Sequence, residues 1–291
     1  MHVSISSRRI LGWLIAVCYA IVGARRKAIA RYNGYGSILS IFGHESRPDV
    51  LEPIVKYLVR KGFTFVSTDD LLEMKAGRKN WQPKLAWLTY DDGWTGLCDL
   101  IPVLEKYHVP LTVFVSPAET DRRQAWSKHV QSGKFAQGER TLFDFPAKER
   151  YALIDSDVGR GLHEHELAGW DELHRFAKHP LVTIENHTNS HLSCSHRPID
   201  EVVAEVTDAR IRLQKENLSK SRLVCYPFGH RTDEVDKKIA ELDMVPVRSD
   251  AGIMELRNIG GSRNAFHQHV TVQENISRIL GVWPKSRMRY V

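Results

Sequence analysis

Cysteine is scarce and unpatterned in this sequence of 291 residues: Cys18, Cys98, Cys194 and Cys225 form no CxxC pair and follow no regular spacing. That argues against a disulfide framework and leaves the four as reduced packing residues, as expected of a chain facing the cytosol. No low-complexity tract is present, so disorder is not expected, and no internal repeat is visible. No apolar run reaches the ~20 residues that a spanning helix needs. No recognisable nucleic-acid module occurs, and the basic residues are not interleaved with aromatics, so no nucleic-acid partner is expected despite a net charge of +6. What is present is 42% hydrophobic and 9% aromatic content, enough core for one large domain or two small ones.

Much of the positive charge sits at the ends, as Arg8, Arg9, Arg25, Arg26, Lys27 and Arg31 in front and Lys285, Arg287 and Arg289 behind. Such ends are either solvated or drawn to an anionic surface. The first group brackets the apolar run Ile10 to Ala24. Three readings stay open for it: a helix in peripheral contact with a membrane, a helix packed on the domain, or a signal sequence, against which the charged Arg25-Arg26-Lys27 argues. Residues 1–36 are therefore set apart as a basic and apolar N-terminal segment. Residues 37–291 are read as the main domain, and the chain as cytoplasmic or membrane-associated, with secretion still open.

From Ser37 onward, β-type runs alternate with helical stripes. Strands are expected at Ser37–Phe42, Phe63–Ser67, Leu85–Tyr90, Leu111–Val115, Leu181–Glu185, Arg222–Tyr226 and Val245–Val247. Helices are expected at Pro48–Lys61, from a Thr68 or Asp69 cap to Lys75, and at Leu97–Tyr107, Glu201–Glu216 and Asp233–Leu242. This rhythm implies an α/β fold with a parallel sheet, favouring a distorted (β/α) barrel over an open doubly wound sheet. The stretch Pro117 to Pro180, with helical pieces such as Trp170–Phe176, is longer than one βα unit needs and reads as an insertion over one face.

Polar residues suited to catalysis follow the strands directly: His44 after the first, Asp91-Asp92 after Leu85–Tyr90, His187 and His191 after Leu181–Glu185, and Pro227-Phe228-Gly229 after Arg222–Tyr226. In parallel β/α folds these strand ends share one face. Asp91-Asp92-Gly93 reads as a plain turn or as two acids that a glycine bend brings to one site. His187 and His191 have a spacing common in metal sites. Yet with 14 His in the chain such pairs arise by chance, as His163 with His165 and His267 with His269 show. Asp92 with both imidazoles would make an open, three-ligand catalytic site suited to zinc, with cobalt, nickel or iron as alternatives.

Together these residues resemble the polysaccharide deacetylase family, the NodB-homology carbohydrate esterases. Its first motif stands here as Thr89-Tyr90-Asp91-Asp92-Gly93, its second as His187-Thr188-Asn189-Ser190-His191, and its third as Tyr226-Pro227-Phe228-Gly229. The likeness runs from about Ile38 to Gly252 and implies a distorted (β/α) barrel. It implies that Asp91 is the general base that activates water, that Asp92, His187 and His191 hold a divalent metal, and that the backbone N–H of Phe228 helps stabilise an oxyanion. The reaction implied is removal of N-acetyl groups from an amino-sugar glycan or glycan precursor.

Two departures stand out. Many members carry an Arg three residues before the aromatic of the third motif, where Cys225 stands here, and a late Leu-x-x-His that supplies the acid, which has no clear counterpart after Gly252. The poly-N-acetylglucosamine deacetylase branch is similar in layout and takes its acid from a His after the first strand, the place of His44. Arg263 is a candidate partner for the base. The departures also keep open a glycan-binding protein of the same fold with impaired catalysis.

Overall fold

The computed structural model describes residues 5–132, 140–158 and 166–283. In chain order the elements are α1 (Ile5–Ile21), α2 (Ala24–Ala30), β1 (Ser37–Gly43), α3 (Pro48–Arg60), β2 (Thr64–Phe65), α4 (Thr68–Lys75), β3 (Leu85–Tyr90), α5 (Ile101–Tyr107) and β4 (Leu111–Val115). Then come α6 (Pro117–Arg122), α7 (Ala147–Val158), α8 (Trp170–Ala177), β5 (Val182–Asn186), α9 (Ile199–Lys215), β6 (Leu223–Cys225), α10 (Asp233–Glu241), β7 (Val245–Val247), β8 (Met254–Glu255), β9 (Asn264–Ala265) and α11 (Val272–Ile279). The described residues divide into two compact units: 5–90 with 99–112 and 248–283, and 91–98 with 113–132, 140–158 and 166–247.

In the first unit β1 and β3 are buried almost throughout, which explains why both read as continuous apolar runs rather than alternating ones. They pair in parallel from Ile38 opposite Leu85 to Gly43 opposite Tyr90. Strand β2 adds to β3, while β8 and β9 add to β1. Gly43 ends β1 where a Cβ would stand 2.5 Å from the Phe266 ring, so no side chain fits there. Helix α3 buries Leu51, Ile54, Val55 and Leu58 along one stripe.

Three helix starts differ from expectation, α9 by opening at Ile199 rather than Glu201. The cap of α4 is Ser67, one residue earlier than Thr68: its hydroxyl accepts the Asp70 N–H and the Asp70 carboxylate accepts the Ser67 N–H, both at 3.0 Å. Leu97–Leu100 forms a 3₁₀ turn and the α-helix begins only at Ile101, because Pro102 has no N–H to extend the ladder backwards.

The apolar run near the N-terminus forms α1, which packs on α11. Arg25 is 5% exposed and clamps the two: its guanidinium donates to the Ala16 carbonyl at 2.9 Å, to the Gln273 carbonyl at 2.7 Å and to Ser277 Oγ at 3.0 Å.

In the second unit the Val113–Val115 part of β4 is followed side by side by β5, β6 and β7 in that order, with β5, β6 and β7 pairing in parallel. Helix α9 buries Val202, Val206, Ala209 and Leu213 and shares a core with Leu192, Tyr226 and Ile239. The segment expected to be an insertion holds α6, a 3₁₀ turn at Trp126–Ser132, a second at Leu142–Asp144, α7 and α8. It makes its own small core of Trp126, Leu142 and Ile154 against Phe143, Tyr151 and Phe228. His163 and His165, with Lys285, Arg287 and Arg289, lie outside the described residues.

Candidate metal centre

Asp91 and Asp92 follow β3 where the backbone turns over. Asp92 is left-handed at φ 71 and Gly93 at φ 74, so the bend starts at the second acid rather than after it. A Cβ on Gly93 would stand 2.8 Å from Val115 Cγ1, which fixes the residue as glycine for both conformation and space.

His187 to His191 form a loop at the end of β5 with two left-handed residues, Thr188 at φ 63 and His191 at φ 55. A β-branched residue there is strained. The loop is pinned at several points. Thr188 N–H donates to Asn186 Oδ1 at 2.8 Å, and Leu192 N–H donates to Thr188 Oγ1 at 2.8 Å. The Glu205 carboxylate takes both the N–H and the hydroxyl of Ser190 at 2.7 Å. Arg150, fully buried, donates to the Ser190 carbonyl at 2.7 Å and hydroxyl at 2.9 Å.

The turn and the loop bring three candidate ligands together. Asp92 Oδ1 lies 3.2 Å from His187 Nε2 and 3.0 Å from His191 Nε2, and all three residues are buried. The other carboxylate oxygen, Asp92 Oδ2, is fixed by Trp94 Nε1 at 3.1 Å. His187 Nδ1 donates to the Cys225 carbonyl at 2.8 Å. A neutral His187 in that tautomer presents a bare lone pair at Nε2 toward a carboxylate oxygen. Two electron pairs facing at this distance require a cation between them, either a proton or a metal ion. Burial disfavours charge on both rings. At His191 burial prevails and lowers the pKa, whereas at His187 Cys225, Asp92 and Asp91 outweigh it and raise the pKa. The donor atoms of Asp92, His187 and His191 lie within 4.8 Å of one another, and two imidazoles with one carboxylate suit zinc or a neighbouring first-row ion. Asp91, His187 and Cys225 also meet that distance, but one nitrogen of His187 is already committed to the Cys225 carbonyl.

Asp91 is 3% exposed, and the Cys225 thiol donates to its Oδ2 at 3.6 Å. The cysteine that replaces the familial arginine thus stands against the acid expected to be the base. Phe228 is left-handed at φ 60 in the turn Pro227–Gly229, a conformation rare for a bulky residue and frequent at functional sites. Its ring meets His191 edge-on at 4.7 Å and Trp126 at 5.3 Å.

His44 and Arg263 belong to the other unit. His44 directly follows β1, half-buried with its ring edge-on to Phe42 at 5.5 Å. It lines a cavity of about 190 Å³ with Glu45, Arg47, Phe266, His267 and His269, so the late histidines that match no familial motif gather around it. Arg263 is buried within its own unit, donating to Thr89 Oγ1 at 2.9 Å and to the Arg248 carbonyl at 3.0 Å, with its guanidinium over the Phe42 ring.

Four residues of the centre carry no sequence motif. Trp126 donates to the Ser190 carbonyl at 3.0 Å and faces His191 edge-on at 6.0 Å, and Arg150 stacks on it at 4.1 Å. Glu119 accepts the Trp126 N–H at 3.0 Å, and burial, aided by Asp92, pushes its carboxyl up to about 8. Glu205 alone left a signal: it falls three residues after Val202 on the buried stripe of α9, where an acid needs a partner.

The family profile described as polysaccharide deacetylase matches residues 78–247. No curated protein matches the chain. Among solved structures, IcaB from Ammonifex degensii is similar at 16% identity, covering 86% of this chain and 97% of that one, with a TM-score of 0.60. The deacetylase PplD of Streptococcus pyogenes in complex with acetate is similar at 17% identity, covering 84% and 99%, with a TM-score of 0.55. The BpsB deacetylase domain from Bordetella bronchiseptica is similar at 17% identity, covering 74% and 83%, with a TM-score of 0.53. Likeness at these identities establishes the fold, which is α/β, the distorted (β/α) barrel of NodB-homology proteins.

Proposed function

The chain belongs to the polysaccharide deacetylase family, and from that premise we propose that it is a metal-dependent hydrolase removing N-acetyl groups from an amino-sugar glycan or glycan precursor. The observation that carries this reading is the convergence of His187 Nε2 and His191 Nε2 on one oxygen of Asp92, with Asp91 adjacent in the chain. Asp92, His187 and His191 would hold the ion, zinc by preference and cobalt, nickel or iron otherwise. Such an ion lowers the pKa of water and polarises a carbonyl. Asp91, buried and steadied by the Cys225 thiol, takes a proton from the attacking water. The Phe228 turn presents its backbone N–H to the oxygen that gains charge. His44, at the end of β1, returns a proton to the leaving amine.

The test is acetate release from a panel of N-acetylated oligosaccharides by zinc- or cobalt-loaded protein, with a chelated control. Loaded protein should release acetate and chelated protein should not. Asp91→Asn should lower turnover by at least about 100-fold while keeping one equivalent of metal. Normal turnover by that variant would remove Asp91 as the base. One equivalent of metal with no release from any substrate would favour a glycan-binding protein of the same fold.

A further inference from the structure

Helix α1 is mounted with its small residues inward and its large apolar residues outward. Gly12 and Ala16 face the domain: a Cβ on Gly12 would stand 2.3 Å from Glu274 Oε2, and Ala16 is fully buried. The surface of α11 beneath is polar, with Glu274 under Gly12 and Ser277 against Arg25, both buried. On the opposite side Ile10, Leu11, Trp13, Leu14, Ile21 and Val22 are 46–78% exposed. They make up six of the nine exposed large apolar side chains among the described residues, so the apolar exposure of the molecule is concentrated on this helix. Ile10, Leu14 and Ile21 recur at helical spacing and form one stripe. Packing on the domain therefore does not explain why these side chains are apolar.

Charge identifies the occupant. Arg8 and Arg9 lie at one end of the stripe and Arg26 and Lys27 at the other, all exposed, and no acidic residue occurs before Glu45. A second copy presenting the same face would set cations against cations. A surface offering hydrocarbon flanked by negative charge is an anionic phospholipid bilayer. Among the described residues no single helix is long and apolar enough to cross a membrane, and the pair Ser7–Ile21 and Ala24–Asn33, which reaches that length and composition only together, is bent by 64°. The Arg25 clamp further ties the inner face of α1 to α11. We propose that α1 seats this protein on anionic membrane surfaces, lying in the plane of the interface with Ile10, Leu14 and Ile21 in the acyl boundary and the flanking Arg and Lys among the headgroups. This rests on the helix alone and is independent of the proposed reaction.

The test is co-flotation of the full chain with vesicles of phosphatidylcholine and phosphatidylglycerol at 3:1, against phosphatidylcholine alone. Wild type should float with the anionic vesicles and largely stay behind with the neutral ones. Leu14→Ser with Ile21→Ser should lower partitioning at least about tenfold, and Arg9→Gln or Arg26→Gln about fivefold each. Should the serine variant misfold, wild type and Trp13→Phe are compared with brominated acyl chains in the anionic vesicles. Quenching present in wild type and reduced by Trp13→Phe supports the seat, and equal quenching in both overturns it. Absence of flotation, equal flotation with both vesicle types, flotation of a folded serine variant equal to wild type, or a lipid-free dimer abolished by that variant would each overturn the proposal.

Discussion

Glu205→Ala removes the carboxylate that receives two hydrogen bonds from Ser190, both at 2.7 Å. Thr188 and His191 on either side are left-handed, and such residues cost about 1–3 kcal/mol each, so the loop carries strain of roughly 2–6 kcal/mol. Hydrogen bonds to a charged group contribute about 1.5–3 kcal/mol apiece, so Glu205 supplies roughly 3–6 kcal/mol, comparable to the whole strain. The other ties are the neutral bonds Thr188 N–H to Asn186 and Leu192 N–H to Thr188 and the two bonds that Arg150 donates to Ser190, none of which replaces the acceptor that the Ser190 N–H loses. Without Glu205 the loop should relax and His191 should leave Asp92. Zinc affinity, measured by competition with a chromophoric chelator, should fall about 10- to 100-fold. The thermal midpoint of the metal-free protein should fall as well. Glu205→Gln keeps one good acceptor and should lie between the two, providing the comparison if the alanine variant does not fold. A folded Glu205→Ala that binds zinc as tightly as wild type would refute the idea that this carboxylate holds the metal loop in shape.

Two further outcomes follow from the geometry. Gly93→Ala drives a Cβ into Val115 at a left-handed position and should cost about 1–3 kcal/mol in denaturant unfolding; Val115→Ala in the same chain should recover part of the loss, and no recovery would locate the damage elsewhere. Burial, then Arg278, His44, Arg8 and His269, depress His267 to about 4. A base depressed in the folded state adds stability above its unfolded pKa of about 6.5 and loses it as pH falls toward 4. The wild-type thermal midpoint should therefore drop more steeply between pH 6.5 and 4 than that of His267→Asn, and parallel profiles would contradict the assignment.

The framework was legible because its strands are buried on both sides. Leu85–Tyr90 and Leu111–Val115 read as strands to the residue, since an unbroken apolar run flanked by turn residues has few other folded uses. Asp91, Asp92, His187 and His191 could be grouped because each follows such a strand. Strands β8 and β9 escaped notice: two residues each, they exist only because β1 offers an edge on which to pair, and nothing local marks them. The left-handed conformations of Thr188, His191 and Phe228 were equally hidden, because non-glycine residues adopt them only under tertiary compulsion. Arg150 and Trp126 lie in a segment whose sequence shows helical pieces but not what they cover. The orientation of α1 was out of reach for a related reason: which face turns inward depends on α11, whose polar surface selects Gly12 and Ala16 over the bulkier side.

The Arg25 clamp also bears on the order of synthesis. Its partners Gln273 and Ser277 follow it by some 250 residues, so the earliest described helix docks on the latest. At about 5–20 residues per second, α1 and α2 wait roughly 12–50 s on a translating ribosome before α11 exists to receive them. Through that interval the apolar stripe of α1 and the guanidinium of Arg25 are both exposed on the nascent chain. A chaperone or a nearby bilayer has that long to engage the helix before the domain can close on it.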